Sequence, residues 1–155
     1  MNASVQALKE MTAEDLHRSV LEKYAIAKDH DLSRVVDFMV FREKSDEKEV
    51  YEAIEEYRKH IAILAVYTPL GYEIPISDDV DPVWHTHVLH TGDYLSLCNK
   101  LGCGFIHHQP FVFRAEAEAI MPTYREVTCE LHKKHFGLNN KFWGPDKHVG
   151  CMNKP

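Results

Sequence analysis

The sequence predicts an all-α or mostly α single domain, a bundle of about five to six helices with a short irregular or extended segment near a histidine cluster. The chain has 155 residues, which fits one domain and is too short for two ordinary ones. It is 45% hydrophobic and 27% charged, as is typical of a globular domain. Apolar residues recur mainly at helical spacing, and no repeat or Ser/Gly-rich linker divides the chain. We therefore expect a single domain over residues 1–155.

The first two predicted helices are identified by their starts. Thr12 followed by Asp15 forms a capping box ahead of apolar residues that recur on one helical face. Asp31 or Ser33 can cap a second, short helix with an apolar content of Val and Phe.

The third predicted helix, about Asp46 to Tyr67, has the strongest periodic signal. Its apolar residues alternate in steps of four and three: Val50, Ile54, Tyr57, Ile61 and Leu64. Pro69 and Gly71 end it, and the segment to Ser77 reads as loop-like or briefly extended.

A fourth helix is predicted to start at Asp81-Pro82, with Asp81 as the N-cap and Pro82 at the first helical position. Thr91 with Gly92 interrupts it, and a second helical piece covers Asp93 to Leu101.

The remaining chain is predicted to hold one long helix. Gly104 to Pro110 forms a short strand or turn, and the helix from Arg114 to Phe136 is bent or broken near Pro122. The tail over residues 138–155 is predicted to be irregular.

Charge and hydropathy exclude several functional classes. Eighteen Lys and Arg against 24 Asp and Glu give a net charge of −6, which does not suit a nucleic-acid or anionic-membrane partner. The longest clean apolar run, Ile61 to Tyr67, is too short to span a bilayer, and the first residues do not resemble a secretory signal. A cytoplasmic location and four reduced cysteines are therefore expected.

The abnormal feature is a His-rich segment at about residues 78–110. Of eleven histidines, five lie within 24 residues, where an even distribution would place about two. They are His85, His87, His90, His107 and His108. Imidazole is the commonest metal ligand among side chains, so this clustering indicates a metal site.

The spacing leaves two geometries open. In an extended segment His85 and His87 point to the same side, whereas in a helix the cooperating pairs are Asp81 with His85 and His87 with His90. Asp78, Asp79 and Asp81 can be ligands, partners that orient a histidine, or helix caps. His107 and His108 point to opposite sides on a strand, so at most one of them is expected to join a site.

The run Asp79-Val-Asp-Pro-Val-Trp-His-Thr-His-Val-Leu, followed by Tyr94, Cys98 and Gly102, resembles the signature of the glycine-rich domain-containing protein-like family, whose core is D-x-x-W-H-x-H-x-L. The resemblance covers about Ile61 to Pro110, and the glycine-rich tail of the plant members is absent. It implies a shared site at Trp84, His85, His87 and Cys98 rather than a named reaction.

Three weaker patterns are also present. Cys129-x-x-His132-x-x-His135 can be a metal half-site, but a helix C-terminus enriched in His and Lys to complement the helix dipole is the favoured explanation. Cys98-x4-Cys103 lacks the tight spacing of a zinc knuckle. His148 and Cys151 in the tail can close over a site, but nothing in their spacing requires it.

The sequence therefore predicts a metal-binding domain. We expect the metal ligands to come from His85, His87, His90, Cys98, His107 and His108, with Asp81 and Trp84 as further binding residues. A set that includes Cys favours Zn, with Fe and Cu as the alternatives, and an open position would suit a metal-dependent hydrolase or oxidoreductase. A zinc site that only braces the fold stays open.

The competing hypothesis is a non-enzymatic interaction module that uses the surface around Trp84 and the histidines. The identity of any small-molecule or protein partner stays open.

Overall fold

The computed structural model describes residues 10–110 and 114–155, without the side chains of residues 114, 116, 117, 120 and 124. Within these ranges the chain is mostly α-helical, which confirms the predicted fold class. The helices are α1 (Ala13–Asp29), α2 (Ser33–Asp37), α3 (Glu47–Tyr67), α4 (Asp81–Leu89), α5 (Thr91–Leu101), α6 (Arg114–Phe136) and α7 (Asn140–Trp143). The strands are β1 (Pro75–Ser77), β2 (His107–Pro110) and β3 (Val149–Lys154).

Helix α3 is the centre of the domain. From Ile61 to Tyr67 every side chain is buried, so this half of the helix is surrounded by other elements on all sides. Helix α1 packs along α3, and α4, α5 and α6 also contact it. The residues of the predicted apolar periodicity are therefore all buried in the core.

The predicted helix starts are confirmed at two of the first three helices. Thr12 and Asp15 form the capping box, with the Asp15 amide donating to Thr12 Oγ1 at 3.1 Å. Asp46 caps α3 by accepting the Glu49 amide at 3.0 Å. The start of α2 differs: its N-cap is Leu32, and Asp31 accepts the Ser33 amide from just outside the helix.

An interruption between α4 and α5 is present as predicted, but it lies at His90, and Thr91 and Gly92, predicted to form it, belong to α5. The N-cap role predicted for Asp81 is wrong, because Val80 is the N-cap and Asp81 is the first helical residue. The Asp81 carboxylate makes no cap bond and is free to face the sheet. Helix α6 runs through Pro122 as one helix.

The irregular tail predicted for residues 138–155 is also wrong. It contains α7 and β3, and β3 is the central strand of an antiparallel sheet with the order β1-β3-β2. Backbone pairing on both edges makes β3 a strand, although Val-Gly-Cys-Met-Asn-Lys has no clear apolar alternation.

No helix in the described part of the chain is long and apolar enough to cross a membrane.

Candidate metal centre

Helix α4 separates the two histidines that the sequence places closest together. Two residues apart on a helix, they diverge by about 200°. His85 is exposed, whereas His87 is completely buried. The extended alternative is therefore excluded, and a single site holding both histidines is not formed.

Potential ligand atoms converge at two places among the described residues, within 4.8 Å of one another in each. The first group, the Asp81–His108–Cys151 cluster, lies where the start of α4 meets β2 and β3. The second, the His30–His87–Asp93 cluster, lies where the end of α1 meets α4 and α5.

The sheet delivers two members of the Asp81–His108–Cys151 cluster. Strands β2 and β3 are antiparallel, with His108 opposite Asn153 and Pro110 opposite Cys151. On the other edge of β3 the register shifts beside Cys151, between Ile76 and Ser77. Such an irregularity re-aims a side chain. Asp81, His108 and Cys151, which lie at least 27 positions apart along the chain, thus place a carboxylate, an imidazole and a thiol together.

Trp84 fixes the position of His108 from inside the domain. Its ring is fully buried and meets the His108 ring edge-on, with centroids 4.2 Å apart. Its indole Nε1 donates to the Tyr94 hydroxyl at 3.0 Å, and Tyr94 donates to the Ile106 carbonyl just before β2. Trp84 therefore positions β2. Because its ring is buried, it does not form part of an exposed interaction surface of the kind that the competing hypothesis expects.

Three polar atoms of the Asp81–His108–Cys151 cluster lack hydrogen-bond partners, although the Cys151 thiol bonds to Asp81. The His108 side chain is 7% exposed, and neither of its ring nitrogens has a hydrogen bond. Its Nε2 lies 3.4 Å from Asp81 Oδ1, which also lacks a hydrogen-bond partner. Two ligands of a tetrahedral zinc ion, each about 2.1 Å from the metal, lie about 3.4 Å apart. The spacing is that of two ligands on one ion.

Burial opposes charge on both titrating partners of Asp81. It lowers the pKa of His108, so the imidazole is neutral, as a metal ligand must be. Burial, together with the Asp81 carboxylate, raises the pKa of the Cys151 thiol to about 12. A bound cation would reverse the effect on Cys151, because it stabilises the thiolate.

His85 lies at the edge of the same cluster. It follows Asp81 by one helical turn, and its ring centroid is 5.8 Å from that of His108. Asp81 and His85 also line a cleft of about 300 Å³ that opens to solvent. Asp81 and His85 thus lie on one side of α4, as the helical alternative predicts, whereas His87 and His90, the other pair of that alternative, do not share a cluster.

The His30–His87–Asp93 cluster has two imidazoles and a carboxylate but no thiol, and its polar atoms are hydrogen-bonded to one another. Asp93 Oδ2 is 2.6 Å from His87 Nε2 and 3.1 Å from His30 Nε2. The outer nitrogens are also engaged, His87 Nδ1 with the Tyr57 hydroxyl at 2.7 Å and His30 Nδ1 with Lys100 Nζ at 3.0 Å.

These contacts determine which ring nitrogens of His30 and His87 carry a proton. A lysine ammonium can only donate, so His30 Nδ1 accepts and its Nε2–H donates to Asp93. His87 likewise donates from Nε2 and accepts the Tyr57 hydroxyl at Nδ1. Burial lowers the pKa of His87 to about 4, in keeping with a neutral ring. The cluster is therefore a closed hydrogen-bond network, and 2.6 Å is too short for two ligands on one metal ion.

The remaining predicted site residues lie outside both clusters. His90 joins α4 to α5 and contacts the Thr86 carbonyl through Nδ1 at 2.8 Å. His107 is exposed beside Phe105, on the opposite side of β2 from His108, as strand geometry requires. Cys98 is fully buried beside Tyr94, and burial raises the pKa of its thiol.

A third group of histidines was not predicted as a unit. His60 Nδ1 and His132 Nε2 are 3.0 Å apart in the core, and Trp143 stacks on the His132 ring at 3.7 Å. His135 contacts the Tyr67 hydroxyl at 2.8 Å. The Cys129/His132/His135 pattern is thus a row of helix residues whose histidines pair with other elements, and no ligand group at this pattern is found in the described residues.

Two members of the clusters carried no clear signal in the sequence. His30 stands at the C-terminal end of α1, far from the other histidines. Cys151 was noted as able to close over a site, and the pairing of β3 is what brings it there.

Comparison of the chain with models of known protein families, with curated proteins and with solved structures finds no match.

Proposed function

We propose that this protein binds one zinc ion at the Asp81–His108–Cys151 cluster. The supporting observation is the state of His108, an imidazole 93% buried that has no hydrogen bond at either nitrogen yet lies 3.4 Å from a carboxylate oxygen. An unpaired buried polar atom costs about 1–3 kcal/mol. Coordination to a metal ion would remove that cost at Nε2.

The donor set selects the ion. Thiolate, imidazole and carboxylate together suit zinc, and the two anionic ligands balance its charge. Iron and copper are the other ions that such a set can hold. Three ligands from the protein leave a fourth position, which His85 or an external molecule can fill. A zinc ion with an external ligand can activate water, the basis of a metal-dependent hydrolase.

The test is the metal content of tag-free protein, measured by elemental mass spectrometry. We expect about one equivalent of zinc in the wild type and at least a tenfold weaker affinity in His108→Ala and in Cys151→Ser, since each removes a direct ligand. His107→Ala and Cys103→Ser are matched controls, because they change the same residue types outside the cluster.

The same measurement separates the two clusters. Asp93→Asn and His87→Ala should leave the zinc content at one equivalent, because the hydrogen-bond network does not share atoms with the metal centre. Zinc that persists in His108→Ala and disappears in His87→Ala would overturn the assignment. Protein without any metal after reconstitution would overturn the proposal as a whole and return the question to a binding module.

A further inference from the structure

The cleft beside the proposed centre has a distinct electrostatic character. It holds about 300 Å³, enough for a small molecule, and it opens to solvent. The residues that line it are Glu43, Asp78, Asp81, Pro82, His85 and Thr86. Three are carboxylates, and no lysine or arginine is among the six.

The cleft adjoins the Asp81–His108–Cys151 cluster through Asp81. Asp81 and His85 line it, and His108, whose buried ring has unpartnered nitrogens, contacts both of them. Asp81 is thus shared by the cleft and the cluster, so a molecule in the cleft would lie beside an ion held at the cluster. The carboxylates of the cleft adjoin a buried imidazole whose nitrogens have no partner.

The charges around the cleft predict which kind of small molecule binds there. Zinc bound by the Asp81 carboxylate and the Cys151 thiolate is electrically neutral as a unit. Asp78 and Glu43 then leave the cleft with two negative charges. Arg42 and Lys44 flank Glu43 in the sequence but do not line the cleft, and Lys147 binds Asp79 at 2.8 Å and lines a different depression.

We infer that this cleft binds a small molecule that carries a protonated basic nitrogen, held by Asp78 and Glu43, with a second polar group directed to the metal, and that it disfavours anions. The inference rests on the proposed zinc centre and names the chemical class of its ligand. Each carboxylate, acting across several ångströms of half-exposed cleft, changes the affinity for a unit charge by about three- to tenfold.

The test uses full-length protein loaded with cobalt, whose visible spectrum reports ligands that join the metal. Three hydroxamates share the metal-binding group and differ in the charge at the far end: β-alanine hydroxamate is cationic, propionohydroxamate is neutral and succinate monohydroxamate is anionic. We expect the affinity to fall in that order, with at least about tenfold between the first and the last.

Variants then identify the source of the selectivity. Glu43→Gln with Asp78→Asn should remove most of the difference in affinity among the probes. If the double variant does not fold, Glu43→Gln alone should still remove part of that difference. Asp79→Asn is the matched control, since it removes a neighbouring carboxylate that does not line the cleft. Equal affinities, the reverse order, or a preference that persists in the double variant would overturn the inference while the zinc centre stands. Failure of the wild type to take up cobalt or zinc would instead refute the centre itself.

Discussion

Replacement of Tyr57 by Phe tests whether the His30–His87–Asp93 cluster is held by hydrogen bonds alone. Tyr57 is completely buried on α3, and its hydroxyl lies 2.7 Å from His87 Nδ1. His87 is also completely buried, and its other nitrogen is committed to Asp93 at 2.6 Å. The substitution removes one oxygen and leaves the ring in place.

The expected cost follows from what the missing hydroxyl leaves behind. His87 Nδ1 loses its donor and has no route to water, so it becomes an unsatisfied buried acceptor. Such a group costs about 1–3 kcal/mol. For a domain of this length, 1 kcal/mol lowers Tm by about 2–4 °C, so Tyr57→Phe should lower Tm by about 2–12 °C.

The assay is thermal unfolding followed by circular dichroism, with Tyr51→Phe as the control. Tyr51 lies on the same helix and is 55% exposed, so the loss of its hydroxyl should change stability by less than about 0.5 kcal/mol. Equal Tm values for the two variants would refute the network. Loss of zinc in Tyr57→Phe, with stability unchanged, would show that the metal binds at the His30–His87–Asp93 cluster and not at the Asp81–His108–Cys151 cluster.

Two further predictions concern stability. Burial lowers the pKa of His60 to about 3 and that of His135 to about 4, so the unfolded chain binds more protons below about pH 6.5 and the fold loses stability there. Urea unfolding at about pH 5 should show a loss of about 2 kcal/mol for each of them relative to neutral pH, and a flat profile would contradict it. Glu56→Ala should cost about 2–3 kcal/mol in urea unfolding, because the buried Glu56 carboxylate accepts the Trp143 indole N–H at 2.6 Å, whereas Glu52→Ala on the exposed side of α3 should cost less than about 0.5 kcal/mol.

The helical part of the fold could be read from the sequence because its signals are local. The periodicity of α3 and the capping residues Thr12 and Asp46 lie within the elements that they define. Strand β3 has no such signal. Its six residues include Gly150 and Asn153, and only their pairing with segments about 45 and 75 residues earlier makes them a strand.

In the candidate site, too, only the features set by local sequence could be predicted. Asp81 and His85 are one helical turn apart, so the helical alternative already paired them, and strand alternation limited the His107-His108 pair to one member. Cys151 could not be chosen in advance over Cys98 or Cys103. Nothing local distinguishes the three thiols, and the register of β3 against β2 decides which of them meets Asp81.

The short helix α4 explains why two histidines so close in sequence can serve different purposes. On its buried side His87 is tied to α3 through Tyr57 and to α5 through Asp93. These bonds and the buried side chains of Val83, Trp84 and Thr86 together fix the rotation of a nine-residue helix that would be marginal alone, so loss of one bond leaves its direction unchanged. With the rotation fixed, Asp81 and His85 must face the sheet and the cleft. The buried side of α4, of which the network is one part, thus sets the direction of Asp81 and His85 on the other side, and the His-x-His spacing places the two histidines on opposite sides.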